Sequence, residues 1–170
     1  MIGDDKMREL FMKTPRLGFS KWKDADLNLA ARLWGDREVA RFLCAAGEFT
    51  EQEILKRLKT EIQNDALFHI QYWPLFELST GNFIGCCGLR PFQSETQAYE
   101  IGFHLCKECW GMGYAYEAAN AVIAYNFNVL KADKLYAGHH PNNGASRKLL
   151  MKLGFQYVGD EYYEPTRLYH

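Results

Sequence analysis

The segment Trp110-Gly111-Met112-Gly113-Tyr114-Ala115 constrains this chain most, because it joins an extended apolar run at residues 99–106 to a long helical run at 113–129. Two glycines within three residues let a backbone turn tightly and come close to a ligand. A helix starting there aims its unpaired N–H groups and the positive end of its dipole at the same spot. The pattern calls for an anion, and a pyrophosphate fits it. Two familiar phosphate patterns are missing. Tyr116 stands where a dinucleotide fingerprint has its third glycine, and no Gly-Lys-Ser/Thr occurs in the chain.

The rest of the chain supplies strands and helices around that turn. Residues 16–22 read as a short strand, and Asp24 takes an N-cap position ahead of Leu27, Ala30, Ala31 and Trp34 at helical spacing, with the helix ending near Gly35. A short helical piece follows at 36–42. A charged one spans 50–64, and its opening Thr50-Glu51-Gln52-Glu53 matches a capping box. Residues 68–78 and 82–91 are β-rich and joined by Ser79-Thr80-Gly81-Asn82, so they read as a hairpin, with Pro74 marking a bulge or an edge position. Residues 97–106 complete a meander. Beyond the glycine turn and its helix come a strand at 134–138, a helix at 143–153 closed by Gly154, and strands at 156–158 and 162–168. The order predicts an α+β fold over residues 1–170, a single domain with helices on both faces of one sheet.

Composition narrows the function. With 170 residues of which 48% are apolar, the chain can bury a sizeable core. The net charge of −1, with Lys and Arg scattered along the sequence, lacks the basic footprint of a nucleic-acid binder. No run of about 18 apolar residues predicts a membrane span. Residues 1–13 mix charges among apolar side chains and lack the core of a signal peptide, and the five cysteines are an odd count, so reduced thiols in a cytoplasm are expected.

Several side chains near the turn could carry chemistry. Along residues 98–106, Glu100 and His104 fall on one strand face, and a carboxylate and an imidazole beside an anion turn are candidates for acid or base work; a solvated strand face is the plain alternative. Asn142 or Asn143 sits where it would cap the helix carrying Leu149, Leu150 and Leu153, and Ser146 lies just inside it. Cys106 and Cys109 form a C-x-x-C with no second pair, and His139 and His140 are adjacent where zinc-ligating histidines are spaced, so no metal site is expected. Trp22, Phe42, Trp73 and Tyr163 are either walls of an acceptor pocket or core aromatics.

Taken together, Glu100-Ile101-Gly102-Phe103, the run from Trp110 through Glu117-Ala118, Asn143-Gly144-Ala145-Ser146 and Lys152-Leu153-Gly154-Phe155 resemble the GNAT acetyltransferase superfamily in its RimJ/RimL-like branch. Thr14-Pro15-Arg16-Leu17, Asp24-Ala25-Asp26 and Trp34-Gly35-Asp36 resemble the start of that branch, so the likeness runs through most of the chain. The resemblance implies the acyl-CoA N-acyltransferase fold, a mixed, mostly antiparallel sheet splayed at the cofactor site. It implies acetyl-CoA as co-substrate, its pantetheine arm pairing with Phe103, His104 and Leu105. The pyrophosphate would rest on the backbone of Gly111, Met112, Gly113, Tyr114, Ala115 and Tyr116. Trp110 occupies the first place of the superfamily's Gln/Arg-x-x-Gly-x-Gly/Ala pattern, a departure that leaves a cradle of backbone amides intact. Asn143 would contact the cofactor arm, Glu100 would be the base acting through water, and Ser146 would donate to the leaving thiolate. The implied reaction acetylates a primary amine, a protein N-terminus or otherwise a small molecule such as a polyamine or aminoglycoside, in a monomer or homodimer; a non-catalytic acetyl-CoA-binding module is the rival.

Overall fold

The computed structural model describes residues 8–92 and 95–170. A six-stranded sheet runs in sequence order: β1 (Met12–Lys13), β2 (Leu17–Phe19), β3 (Tyr72–Glu77), β4 (Phe83–Pro91), β5 (Ala98–Leu105) and β6 (Lys134–Tyr136). Neighbours are antiparallel except β5 and β6, which are parallel because the long helix α4 (Tyr114–Asn128) crosses between them. Alternation along β3 fixes the two faces. Tyr72 points to the side of His104 and Arg90, whereas Trp73 packs edge-on against Tyr125 of α4 at 5.1 Å between centroids. Ala118, Ala119 and Val122 of α4 are fully buried, and small side chains there let the helix sit close to β4 and β5.

The other face is covered by α1 (Leu27–Trp34) and α3 (Glu51–Phe68), with the one-turn α2 (Arg37–Ala40) following α1. Side-chain caps start α2 and α3. Thr50 and Glu53 form the expected capping box of α3, and the Asp36 carboxylate accepts from the Glu38 N–H. Asp24 is not the cap of α1. It lies in a 3-10 turn (Asp24–Asp26), and Asp26 instead accepts from the Lys23 N–H and pairs with Arg8. Trp22, Leu33, Trp34 and Leu58 fill the core on this side.

Further expectations are altered at the end of α3 and at the C-terminal strands. The helix α3 runs on through Phe68 before His69 ends it at φ 59°, so β3 starts four residues later than the apolar pattern placed it. Pro74, as expected, lies at a bulge: it stands just before Leu75, where the pairing with β2 ends, and the ladder to β4 shifts register between Leu75 and Phe76. Residues 156–158 form no strand; Tyr157 and Val158 are 80% and 81% exposed. The end of the chain forms only a small hairpin, β7 (Tyr162–Tyr163) with β8 (Leu168–Tyr169). Before it, α5 (Gly144–Lys152) closes as expected at Gly154, at φ 93°, with bonds from Gly154 N–H to Met151 and from Phe155 N–H to Leu150. Among the described residues no helix is long and apolar enough to cross a membrane.

Candidate active site

The sheet opens between β5 and β6. Only Ala98, Tyr99 and Glu100 pair with β6, opposite Lys134, Leu135 and Tyr136, and beyond them β5 continues alone to Leu105. The edge carrying Ile101, Gly102, Phe103, His104 and Leu105 therefore has no strand partner on that side. A cleft of about 950 Å³ occupies the gap, bounded by this edge, the glycine turn, the start of α5 and the C-terminal hairpin. That volume suits a large organic ligand.

At one end stands the turn. Gly111 and Gly113 take φ of +76° and +79°, a region that L side chains rarely enter, and Gly113 occupies the N-cap of α4 without any side chain to satisfy the helix start. A Cβ built on Gly111 would meet nothing within 4 Å, so that face of the backbone is open to the cleft. The N–H groups of Tyr114, Ala115 and Tyr116 belong to the first helical turn and point outward unpaired by the helix. Trp110 donates its indole N–H to the Leu105 carbonyl at 2.9 Å, fastening the turn to the end of β5. That is the task of the residue that departs from the superfamily pattern.

From behind, Arg16 donates to the Met112 carbonyl at 2.9 Å and to Glu117 at 2.7 Å, and stacks on Tyr114 at 4.4 Å. Glu117 accepts in addition from Thr14 Oγ1 and from the Arg16 N–H. These partners hold the Glu117 carboxyl below the usual carboxylate range, although burial pulls the other way and is the largest single effect. Spacing could not have found this clamp, since its halves lie 101 residues apart.

Mid-cleft, Glu100 and His104 share a strand face, as the alternation predicts, but the ring of Tyr72 lies between them. It covers Gly102 so closely that a Cβ there would stand 2.3 Å from the ring. Glu100 is half-buried, and among the described residues it forms no ion pair. Burial pushes its pKa up, the Arg90 charge opposes this, and Glu161 adds to it. His104 differs. Its Nδ1 accepts from the Trp34 indole at 3.1 Å, and burial with the charges of Arg57 and Arg90 holds its pKa well below the ordinary histidine range. The ring is thus neutral with its proton on Nε2, which leaves it a donor and no free basic nitrogen.

Behind Tyr72 lies a buried polar network that sequence reading missed. Glu61 of α3, 1% exposed, binds Arg90 at 2.9 Å with one oxygen and the Tyr72 N–H at 2.7 Å with the other, while Arg90 stacks on the Tyr72 ring at 4.1 Å. An arginine inside an otherwise apolar strand was the available signal.

On the far wall, Asn143 caps α5 through Oδ1, accepting from the Ser146 N–H at 3.1 Å. The Ser146 hydroxyl takes no part in that cap and lies half-buried on the cleft wall. Cys106 and Cys109 are buried free thiols; burial pushes Cys106 up to about 12 and raises Cys109, so neither is a ready thiolate. Phe42 and Tyr163 line the end of the cleft away from the turn, whereas Trp22 and Trp73 are core residues, 4% and 1% exposed. Among the described residues no three His, Cys, Asp or Glu side chains converge as metal ligands.

An open strand edge beside an amide-lined turn fits acetyl-CoA, whose arm carries amides and whose pyrophosphate is an anion. Known proteins agree. A family model described as "Acetyltransferase (GNAT) domain" matches residues 16–156. An uncharacterized protein of Bacillus subtilis, YkkB, is 38% identical over 146 residues, covering 85% of this chain and 84% of its own. A GNAT-family acetyltransferase structure from Bacillus anthracis superposes with a TM-score of 0.78 at 22% identity, covering 93% and 92% of the two chains. A ribosomal-protein-S5-alanine acetyltransferase structure from Vibrio fischeri does so with 0.73 at 21% identity, covering 94% and 92%. The chain belongs to the GNAT family of acetyl-CoA-dependent N-acetyltransferases.

Proposed function

We propose that the protein acetylates a primary amine with Glu100 as the base, and that this amine is a protein N-terminal α-amine. The observation that carries the base is the unpaired Glu100 carboxylate, half-buried and raised in pKa, at the point where β5 and β6 part. A carboxylate with elevated proton affinity and no resident cation is suited to take a proton from an ammonium group, through one water. Acetyl-CoA supplies an activated acetyl thioester. The open edge at Phe103, His104 and Leu105 offers backbone groups for its arm, and the amides from Gly111 to Tyr116 offer donors for its pyrophosphate. Asn143 contributes its remaining amide donors on the opposite wall.

The amine nitrogen forms its bond to the acetyl carbon as the carbon–sulfur bond breaks. Glu100 receives the amine proton, and the Ser146 hydroxyl donates to the departing thiolate, acting as a hydrogen-bond donor or as the acid. The α-amine reading is supported by the sequence likeness to the RimJ/RimL branch and by structural likeness to the ribosomal-protein acetyltransferase from Vibrio fischeri.

A thiol-release assay with acetyl-CoA tests this against N-terminal peptides, polyamines and aminoglycosides. Turnover with peptides and loss of turnover on blocking their α-amine is the expected result. Turnover confined to polyamines or aminoglycosides would overturn the α-amine, and acetyl-CoA binding without transfer to any acceptor would favour a binding module.

A further inference from the structure

Arg57 is a charged residue of the cleft that acetyl transfer leaves unused. It projects from α3 into the end of the cleft lined by Phe42 and Tyr163, away from the phosphate turn. Its guanidinium lies between the rings of Trp34 and Phe49, 5.0 Å from each centroid. Those contacts hold the group in place by cation–π attraction but satisfy none of its N–H donors in the plane of the fork. Its Nε is buried without an acceptor, and among the described residues it forms no ion pair. Arginine does not give up its proton in proteins, so this is a permanent, largely desolvated charge.

The carboxylates on its own helix and on the helix before it are engaged elsewhere, and Glu100, Asp160 and Glu161, which also line the cleft, form no ion pair with it among the described residues. Glu61, one turn further along α3, is held by Arg90 and by the Tyr72 N–H. Glu38 pairs with Arg41 at 3.7 Å, and Arg90 adds a second positive charge that lowers the Arg57 pKa further after burial itself. Of the other cations that line the cleft, Arg41 and Arg90 are paired with Glu38 and Glu61, and Lys152 lies over Tyr116 beside the phosphate turn. Glu61, the one carboxylate that acts on Arg57, is thus held by Arg90, and the Arg57 guanidinium is left without an anion of its own at this end of the cleft.

We propose that the acceptor is a primary amine carrying a carboxylate, and that Arg57 binds this carboxylate through its planar fork of donors, directing the amine toward Glu100. The proposal rests on the acetyl-transfer reading and deepens it. Both a free amino acid and a peptide with an acidic residue at its N-terminus carry that chemistry.

Matched acceptors differing only in charge test it: β-alanine against β-alaninamide, and peptides starting Asp or Glu against Asn or Gln, each assayed for thiol release from acetyl-CoA. The acidic member should react at least tenfold faster in kcat/KM, and the member pair that shows this identifies the source as amino acid or peptide. Arg57→Gln should erase the preference through the KM of the acid, with the KM of acetyl-CoA unchanged, and Arg57→Lys should restore part of it. Equal rates within every pair, or equal losses for acid and amide in Arg57→Gln, would overturn the proposal.

Binding is read separately from turnover by the Nε–H resonance of Arg57 in 15N-labelled protein saturated with CoA. It should move on titration with the acidic member of a pair and stay still with the amide. Such movement without turnover upholds the anion site while sinking the acetyl-transfer reading. A resonance unmoved by any acidic acceptor sinks the anion site.

Discussion

Glu100 sits where its carboxyl holds a proton to higher pH than an exposed carboxylate, because burial outweighs the attraction of Arg90. A base works only when deprotonated, so kcat/KM should rise with pH through the raised Glu100 pKa, above the ordinary glutamate value of about 4.3. Glu100→Gln should lower turnover by about 10² to 10⁴ at neutral pH, remove that acid limb and leave acetyl-CoA binding nearly intact. An unchanged pH profile would assign the proton to another group or to bulk water. Ser146 admits an equally direct test, since Asn143 supplies the cap and the hydroxyl is free of it. A hydrogen bond to a charged group is worth about 1.5–3 kcal/mol, so Ser146→Ala should cost roughly 10- to 100-fold in turnover at nearly constant melting temperature. Full activity in that variant would refute the role. Asn143→Ala should instead cost about 1 kcal/mol of stability, read by denaturant titration.

The glycine turn was legible because its requirement is local: backbone conformation at Gly111 and Gly113 and a helix start immediately behind. Its supports were not, because Arg16 and Thr14 meet Glu117 across the fold and no period in the sequence links them. Capping of α3 and α5 could be read for the same local reason, whereas the end of α3 could not, since apolar residues at 66–68 suit helix and strand alike. Gly113→Val should abolish acetyl-CoA binding by calorimetry, because a β-branched residue at φ +79° is strained and its Cβ would press at 3.4 Å on the Arg16 guanidinium that holds the turn. Unchanged affinity would place the pyrophosphate elsewhere.

At the scale of the molecule, the meander of β3, β4 and β5 and the helices on both faces followed from the pattern and order of apolar segments, yet the acceptor end did not. Arg57, Glu61, Tyr72 and Arg90 come from one helix and two strands, and only the packed sheet brings them together. The sheet's departure from a closed ladder is also a global property: β6 pairs for three residues, and the remaining β5 edge has no neighbour. A ligand lying along that edge binds the native state alone, so it must stabilise the whole fold by mass action. CoA at a hundred times its dissociation constant adds about 2.7 kcal/mol. For a domain near this size, at about 2–4 °C per kcal/mol, the melting temperature should rise by roughly 5–10 °C. Hydrogen exchange then locates the contact. Amides at Phe103, His104 and Leu105 should slow with CoA beyond the general stabilisation seen across α3, and those from Tyr114 to Tyr116 should slow with them. Protection at the turn without protection on β5 would mean that the phosphates bind as proposed while the arm follows a different wall.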